Sequence, residues 1–465
     1  MVIKVIFITL QSLVKTYLFD HCLIITIFRK QQKQDKKNRR GRREKMLYRN
    51  SVSYPNVLGM IMAGGEGSRL HPLTKERAKP AVYFGGKYRI IDFVLNNFIN
   101  SGIFKIKVLT QFKSDSLIKH LTTGWNLNRM LGHYIDPVPA QMRTGKKWYQ
   151  GTADAIFQNI NLIEDENPDY IAIFGADHIY KMDLSLMLDY HRQMGAVATI
   201  AAIPKPISEA CNFGVIEIDP SGRMIGFDEK PKNPRSIPGN PGMALVSMGN
   251  YIFNKKFLVR ELFNDASIAG SSHDFGKDII PKIFPDYPIY IYNFINNRIP
   301  GETPEQNLYW EDVGTLDSYY QANMTLRDVM PEINLYNEHW PIRTAPAQSP
   351  PAKFVFSGQN NEKRRGEALD SIVSGGCIIS GGRVISSVLS RGARVHSLAT
   401  VEDSILFPDV VISEKAYVRK AIIDRGVRVG PGEKIGFDLE QDKKRYFVTE
   451  SGIVVLGQAS RNLQV

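Results

Sequence analysis

The 465-residue sequence predicts an α/β domain with a mainly parallel sheet, followed by a parallel β-helix. Apolar runs of strand length alternate with amphipathic segments of helical length between residue 55 and about residue 205, which is typical of a parallel sheet with helices on both faces. Towards the C-terminus the pattern changes to one apolar residue at every sixth position. That period is typical of a β-helix in which each flat face takes one hexapeptide.

The α/β pattern contains seven elements that can be predicted one by one. The helices repeat apolar residues every three or four positions, as in Ile91, Leu95 and Phe98, and this helix is expected to end before Gly102. In chain order the elements are the strand NVLGMIMA, the helix RIIDFVLNNFINSG, the strand FKIKVLT, the helix TADAIFQNINLIE, the strand DYIAIFGA, the helix DLSLMLDYHRQMG and the strand AVATIAAI. Active sites of such sheets lie at the carboxyl ends of the strands.

The six-residue repeat assigns one inward-facing residue to each hexapeptide. The residues assigned to the interior are Ala393, Ala399, Ile405, Val411, Tyr417, Ile423, Val429 and Ile435, preceded in another phase by Val373, Ile379 and Ile385. A β-sandwich with accidental spacing is the alternative. We expect a basic extension over residues 1–50, the α/β domain over 51–300, its remainder and a proline-rich linker over 301–365, and the β-helix over 366–465.

Most of the net charge of +12 is concentrated in the first 45 residues, which contribute +9. The rest of the chain is nearly balanced, so the charge does not predict nucleic-acid binding by the folded part. The two apolar clusters in this head are shorter than the ~20 residues of a membrane span. We expect a disordered extension, or a chain that functionally starts at Met46, with a membrane-surface or nucleic-acid arm as the alternative. Three cysteines without zinc-like spacing favour a reducing, cytoplasmic setting.

A glycine-rich turn directly follows the first predicted strand. Gly64, Gly65 and Gly67 let backbone N–H groups approach phosphate oxygens, and Arg69 and Lys79 follow as fixed cations. The pattern is neither G-x-G-x-x-G nor a Walker A loop, and an ordinary tight turn is the alternative. Together the glycines and cations predict a site for a nucleoside triphosphate.

Two aspartates and a Glu-Lys pair are further candidates. Asp177 directly follows the strand DYIAIFGA, and Asp312 lies in WEDVGT. Carboxylates are ligands that Mg²⁺ prefers, although either aspartate could instead cap a turn. Lys230 is a second candidate cation, and Glu229 beside it could accept hydrogen bonds from sugar hydroxyls, although such pairs are more often solvated.

Nine motifs, in this order, resemble those of the bacterial glucose-1-phosphate adenylyltransferases, a family of sugar nucleotidyltransferases. The motifs are AGGEGSRL, RAKPA, WYQGTADA, GADHIYKMD, NFGVIEI, FDEKP, SMGNYIF, SSHDFGKDIIP and YWEDVGT. The resemblance implies a Rossmann-like nucleotidyltransferase domain and a left-handed β-helix, a homotetramer, Mg²⁺ dependence and no nucleic-acid or membrane partner. It also implies transfer of AMP from ATP to α-D-glucose 1-phosphate, giving ADP-glucose and pyrophosphate, as the allosterically controlled first committed step of glycogen synthesis.

The resemblance also implies roles for individual residues. Asp177 and Asp312 would hold Mg²⁺. The implied catalytic residues are Arg69, Lys79, Asp177 and Lys230. The implied nucleotide-binding residues are Gly64, Gly65, Gly67, Arg69 and Asp154, and the implied sugar-site residues are Tyr149, Gly214, Glu229, Lys230 and Ser247.

Arg77, Arg89 and Arg394 match arginines of the family's site for an anionic allosteric effector. The enteric pattern has a lysine where this chain has Glu76, and an arginine often stands where Glu66 lies between the glycines. A negative charge at Glu76 would repel a bisphosphate, so fructose bisphosphate is not the expected activator.

Three other functions are compatible with the pattern. The first is a related nucleotidyltransferase that uses UTP, dTTP, GTP or CTP, and the second is a non-catalytic regulatory subunit. The third is an acyltransferase, because β-helices of this kind often serve acyl-transfer chemistry; His396 would be its only histidine within the repeats.

Overall fold

The computed structural model describes residues 55–143, 148–355 and 364–457. The basic extension expected at residues 1–50 lies outside these ranges. The first thirteen strands are β1 (Val57–Ala63), β2 (Tyr83–Phe84), β3 (Tyr88–Arg89), β4 (Lys105–Thr110), β5 (Tyr134–Pro139), β6 (Tyr170–Gly175), β7 (His178–Tyr180), β8 (Ala198–Pro206), β9 (Gly214–Ile218), β10 (Met224–Glu229), β11 (Met243–Asn254), β12 (Ile289–Asn293) and β13 (Trp310–Asp312).

Ten α-helices are present in the described residues. They are α1 (Ile90–Asn100), α2 (Asp115–Gly124), α3 (Thr152–Phe157), α4 (Ile160–Glu166), α5 (Leu184–Gln193), α6 (Ile207–Ala210), α7 (Lys255–Ala266), α8 (Ile280–Ile283), α9 (Leu316–Met324) and α10 (Leu439–Lys443). In the ranges that the structure covers, none of them has the length and apolar character needed to span a membrane.

A nine-stranded sheet forms the centre of the first part. Its main path runs β10-β9-β11-β6-β1-β4-β5, and β8 joins β11 to β12. The strands β6, β1, β4 and β5 are parallel to one another, whereas β11 is antiparallel to β6. The predicted mainly parallel sheet is therefore confirmed, with the long strand β11 inserted antiparallel to its neighbours and β10 antiparallel to β9 at the edge.

Strand β1 shows why the predicted strands are uninterrupted apolar runs. Val57 and Ile61 pack into the hydrophobic core on one face of the sheet. Leu58 and Met60 pack into the core on the other face. Because successive side chains point to opposite faces, a strand buried on both sides needs apolar residues at every position.

The predicted helix over TADAIFQNINLIE is two helices in the structure. α3 ends at Phe157 and α4 begins at Ile160. At the break the Gln158 amide donates to the Asp154 carboxylate at 2.8 Å, and the Asn159 amide donates to the Ala155 carbonyl at 2.8 Å. Such side-chain hydrogen bonds compete with the helical pattern, which explains the interruption.

Three sheets form the β-helix of the second part, and their strands are parallel except for β28 at the end of one sheet, consistent with the predicted left-handed β-helix. Its first strand, β14 (Lys353–Val355), lies before residue 366, where the sequence placed the start of this domain. The remaining strands are β15 (Glu367–Leu369), β16 (Ile372–Val373), β17 (Ile378–Ser380), β18 (Arg383–Ile385), β19 (Val388–Leu389), β20 (Arg394–Val395), β21 (Thr400–Glu402), β22 (Ile405–Leu406), β23 (Val411–Ile412), β24 (Tyr417–Arg419), β25 (Ala421–Ile423), β26 (Arg428–Val429), β27 (Lys434–Ile435), β28 (Phe447–Val448) and β29 (Val454–Leu456).

The six-residue count assigned some of the interior residues wrongly. Thr400 pairs with Tyr417 in the next coil, so one coil takes 17 residues there and not three hexapeptides of six. Tyr417 is 40% exposed, and its neighbour Val418 points inward instead. Because side chains alternate along a strand, a slip of one residue exchanges the inside with the outside.

The outer face of the β-helix packs against the α/β part through a shared hydrophobic core. Phe407, Ile422 and Val455 from the β-helix share this core with Leu70 and Tyr83. Leu70 lies just beyond the glycine-rich turn, so the β-helix supports the loop that carries the predicted cations.

Candidate active site

A cavity of about 540 Å³ lies at the carboxyl ends of the central strands β1, β4 and β6. Its lining includes the predicted residues Gly64, Gly65, Gly67, Arg69, Lys79, Tyr149 and Asp177, together with Gln111, Thr152, Asp274 and Gly314. The glycine-rich turn forms one wall of this cavity. The cavity thus lies where the sequence predicted a triphosphate site.

Gly67 occupies a position that a larger residue would fit poorly. Its φ of 67° is in the left-handed region, and a Cβ atom there would lie 2.9 Å from the Lys79 Cβ. The Thr74 hydroxyl donates to the Gly67 carbonyl at 2.8 Å. Glycine therefore lets the turn and the Lys79 segment lie against each other.

Lys79 lies between the two predicted metal-binding aspartates. Its ammonium nitrogen is 3.1 Å from Asp177 Oδ2 and 2.9 Å from Asp312 Oδ1. Burial alone would lower the pKa of Lys79, but the charges of Asp177 and Asp312 raise it above its ordinary value. Arg69 is more exposed, with its guanidinium 3.9 Å from Asp312 Oδ2.

The antiparallel pair β7 and β13 brings the two aspartates together. Asp312 is the register partner of His178, which directly follows Asp177. One ligand atom from each of Asp177, His178 and Asp312 lies within 4.8 Å of the other two. Partial burial would raise the pKa of the Asp177 carboxyl, but Lys79 and His178 hold that pKa well below its usual range.

This donor set fits a divalent cation. Two carboxylates and an imidazole converge, and the carboxylates already hold the ammonium group of Lys79 between them. Oxygen ligands of this kind suit Mg²⁺, and an added imidazole also suits Mn²⁺.

Three of the predicted sugar-site residues, Gly214, Glu229 and Lys230, form a second cluster. Glu229 is the register partner of Gly214, where a Cβ atom would lie 2.9 Å from Glu229 Oε2. Burial raises the pKa of Glu229, and Asp274 raises it further, whereas Lys230 and Lys277 oppose this change. The Lys230 ammonium lies 3.9 Å from Glu229 Oε1, and its side chain is 62% exposed.

Tyr149 and Ser247 are the other two predicted sugar-site residues. Tyr149 lines the cavity, and its hydroxyl accepts a hydrogen bond from the Asn159 amide at 2.8 Å. Ser247 lies in β11, and its hydroxyl accepts from the Gly249 N–H at 3.2 Å. Asp274 both lines the cavity and acts electrostatically on Glu229, so it connects the two clusters.

Asp154 is hydrogen-bonded to neighbouring groups of the protein and does not line the cavity. Its carboxylate accepts hydrogen bonds from the Gln150 N–H and from the Gln158 amide, each at 2.8 Å. It is buried in the first turn of α3 and is absent from the lining of the cavity. Any influence on the nucleotide would therefore act through the Gln150 segment, which does line the cavity.

The three predicted effector arginines lie in different surroundings within the described part of the chain. Arg77 is buried in an ion pair with Asp424, and Arg394 is exposed on β20. Only Arg89 lines a second cavity of about 630 Å³, between the α/β part and the β-helix. The other cationic side chains that line this cavity are Lys87, Lys119, Arg391 and Arg425.

Comparisons with known proteins agree with this geometry. Residues 58–329 match the family model described as nucleotidyl transferase, and residues 350–456 match the GlmU-like C-terminal hexapeptide model. A glucose-1-phosphate adenylyltransferase of Anaeromyxobacter sp. (strain Fw109-5) is 54% identical over 406 residues, which cover 87% of this chain and 98% of that protein.

The chain belongs to the glucose-1-phosphate adenylyltransferases. Two further members are each 52% identical over 405 residues, covering 87% of this chain and 98% of theirs; they come from Aliivibrio fischeri (strain ATCC 700601 / ES114) and Vibrio parahaemolyticus. The family assignment made from the motifs is confirmed.

Sequence reasoning missed three residues of this adenylyltransferase's site. His178 faces both aspartates, Gln111 accepts a hydrogen bond from the Tyr149 N–H at 2.8 Å, and Asp274 accepts one from the Thr152 hydroxyl at 2.9 Å. Gln111 directly follows the end of β4, and His178 comes three residues after the end of β6, so closeness to a strand's carboxyl end was the available signal. Asp274 lies in SSHDFGKDIIP, one of the motifs that carry the family resemblance, but no role was predicted for it.

Proposed function

We propose that this chain transfers AMP from ATP to α-D-glucose 1-phosphate, giving ADP-glucose and pyrophosphate. The observation that carries the proposal is the buried Lys79, held between two carboxylates at the end of a glycine-lined cavity. The relatives are glucose-1-phosphate adenylyltransferases, which supports ATP and glucose 1-phosphate as the substrates.

The reaction needs charge neutralisation more than proton transfer. A phosphate oxygen of glucose 1-phosphate forms a bond to the α-phosphorus of ATP, while the bond from that phosphorus to the bridging oxygen of pyrophosphate breaks. The attacking oxygen is already anionic near neutral pH, so no base has to remove a proton. The site must therefore hold the reactants in line and neutralise their charge.

Each proposed role matches the surroundings of its residue. Lys79 and Arg69 neutralise charge on the triphosphate, and the backbone of the glycine-rich turn surrounds the nucleotide. Lys230 is exposed enough to meet the incoming sugar phosphate. Glu229 makes no side-chain hydrogen bond within the described ranges, so its carboxylate is available to sugar hydroxyls.

We propose Mg²⁺ as the metal, with Asp177 and Asp312 as the residues that would hold it. When bound, such an ion neutralises phosphate oxygens and makes the phosphorus a better electrophile. His178 lies close enough to contribute a third donor.

The second cavity supports a proposal about regulation. Among the residues that the structure describes, five Lys and Arg side chains and one carboxylate, that of Asp115, line it, so we propose an anionic effector there. We propose that Arg89 binds the effector, as expected from the sequence. Arg391 and Arg425 bind it instead of Arg77 and Arg394. We further propose that the chain forms a homotetramer in the cytoplasm. There the effector would control the rate of glycogen synthesis.

The test is pyrophosphate release with glucose 1-phosphate and Mg²⁺ across ATP, UTP, dTTP, GTP and CTP. We expect turnover with ATP and a loss of at least about a hundredfold with each of the others. Preference for another nucleotide would favour a related nucleotidyltransferase. Absence of turnover with all five, in the presence of sugar-phosphate activators, would favour a regulatory subunit.

A further inference from the structure

We propose that Asp424 of the β-helix is a positioning residue for Lys79 in the active site, acting through its ion pair with Arg77. The proposal rests on the adenylyl transfer proposed above. It makes the β-helix part of the catalytic apparatus, because a carboxylate of one part fixes the segment that carries a catalytic cation of the other.

The ion pair has a geometry that fixes orientation. Arg77 Nη1 lies 2.8 Å from Asp424 Oδ1, and Nη2 lies 3.2 Å from Oδ2. Two parallel bonds between a planar guanidinium and a carboxylate hold both the position and the plane of the arginine. Arg77 is 5% exposed and Asp424 is 2% exposed, so water does not compete for these bonds.

The β-helix holds Asp424 rigidly. The Arg425 N–H donates to Asp424 Oδ1 at 2.6 Å, and the Asp424 N–H donates to the Leu456 carbonyl at 2.9 Å. Both the backbone and the carboxylate of Asp424 are therefore held by backbone groups of the β-helix, independently of Arg77.

Only Ala78 separates Arg77 from Lys79. Ala78 is buried, and its N–H donates to the Lys113 carbonyl at 3.2 Å. Two residues span at most about 7 Å of chain, so a displacement of Arg77 cannot be absorbed before Lys79. At Lys79 the ammonium must lie within hydrogen-bonding distance of both Asp177 and Asp312.

Packing of the β-helix against the α/β part does not by itself require a charged pair at this place. The shared hydrophobic core around Phe407, Ile422 and Val455 already joins them. A buried ion pair costs so much desolvation that apolar residues of similar size often stabilise a fold as well or better. What the ion pair adds over apolar packing is a defined direction for the Arg77 side chain.

The test compares Asp424→Asn with Tyr320→Phe by steady-state pyrophosphate release and thermal unfolding. Tyr320 is the matched control because its hydroxyl makes another bond between the two parts, to the Asp403 carbonyl at 2.6 Å. We expect Asp424→Asn to lower kcat about 10- to 100-fold with KM for ATP changed less than threefold, since small misplacements of a catalytic group have effects of that size. Tyr320→Phe should leave kcat within twofold.

Introducing Asp424→Asn into the Lys79→Met variant distinguishes a positioning role from a general loss of structure. If Asp424 acts through Lys79, then Asp424→Asn should lower the residual activity of Lys79→Met by less than twofold. The double variant Arg77→Met/Asp424→Leu removes both buried charges; it should keep the thermal midpoint and still show the same loss of kcat.

Three results would overturn the Asp424 proposal while the wild type remains active. They are a kcat within twofold for Asp424→Asn, an equal loss in both backgrounds, or a fully active double variant. A wild-type chain without adenylyl transfer would instead refute the proposed function, on which this inference depends.

Discussion

Replacing Lys79 with methionine tests the central feature of the site. Methionine keeps most of the length of the lysine side chain but removes an ammonium group that lies 3.1 Å and 2.9 Å from two carboxylates. At about 3 Å and an effective dielectric constant of ~20, each attraction is about 5.5 kcal/mol before desolvation. A hydrogen bond to a charged group has a net value of about 1.5–3 kcal/mol.

The solvent exposure of the two carboxylates decides where the loss lies within this range of about 1.5–3 kcal/mol. Asp177 and Asp312 are 40% and 21% exposed, so water can replace part of what the lysine provides. We therefore expect Lys79→Met to lower the free energy of unfolding by about 2 kcal/mol, less than the roughly 3–5 kcal/mol for breaking a fully buried pair.

Catalysis and metal binding should change in opposite directions. Loss of one positioned charge at the reacting phosphates should lower kcat by about a hundredfold to a thousandfold. The two carboxylates, freed from the ammonium group, should bind Mn²⁺ about tenfold more tightly in the absence of nucleotide. This gain is expected because Lys79 and the cation compete for the same oxygens.

The assays are pyrophosphate release, thermal unfolding and Mn²⁺ titration followed by electron paramagnetic resonance. Lys75→Met, an exposed lysine of the same loop, is the matched control and should change none of the three. A Lys79→Met variant with kcat within threefold of wild type, or with weaker Mn²⁺ binding, would refute the reasoning.

The remaining predictions concern the metal, the sugar site and the β-helix. Asp177→Ala should lower kcat a thousandfold or more, about 4 kcal/mol of transition-state stabilisation, with little change in thermal midpoint; near-normal kcat would contradict its role. Gly214→Ala places a Cβ 2.6 Å from the Phe227 ring, so KM for glucose 1-phosphate should rise about tenfold while KM for ATP stays within twofold. Val418→Ser should lower the thermal midpoint by several degrees and Tyr417→Ser should not; the reverse order would contradict the inward direction of Val418.

The order of strands and helices in the α/β part could be predicted from local pattern because each element carries its own signal. An apolar run such as that of β1 indicates a strand buried on both faces wherever it occurs. Lys79, Asp177 and Asp312 were candidates for the same reason, since each stands beside a strand or a glycine turn. Their roles in the reaction stay predictions.

The β-helix shows where local counting fails. A count of six placed Tyr417 inside, but the coil there contains 17 residues, so the inward position passes to Val418. The length of a coil depends on its corners, where residues such as Asp403 and Lys420 adopt positive φ angles of 45° and 48°. Non-glycine residues give little warning of that conformation.

The sequence by itself determined the family, the strand order along the chain and the residue types that the chemistry needs. Only the tertiary structure decided which of these residues meet. The β7–β13 pair places His178 beside Asp312, and the packing of the β-helix pairs Arg77 with Asp424 and leaves Arg89 to the second cavity. Such partners lie far apart in the sequence, and their contact depends on the packing of whole domains, which no local pattern of residues records.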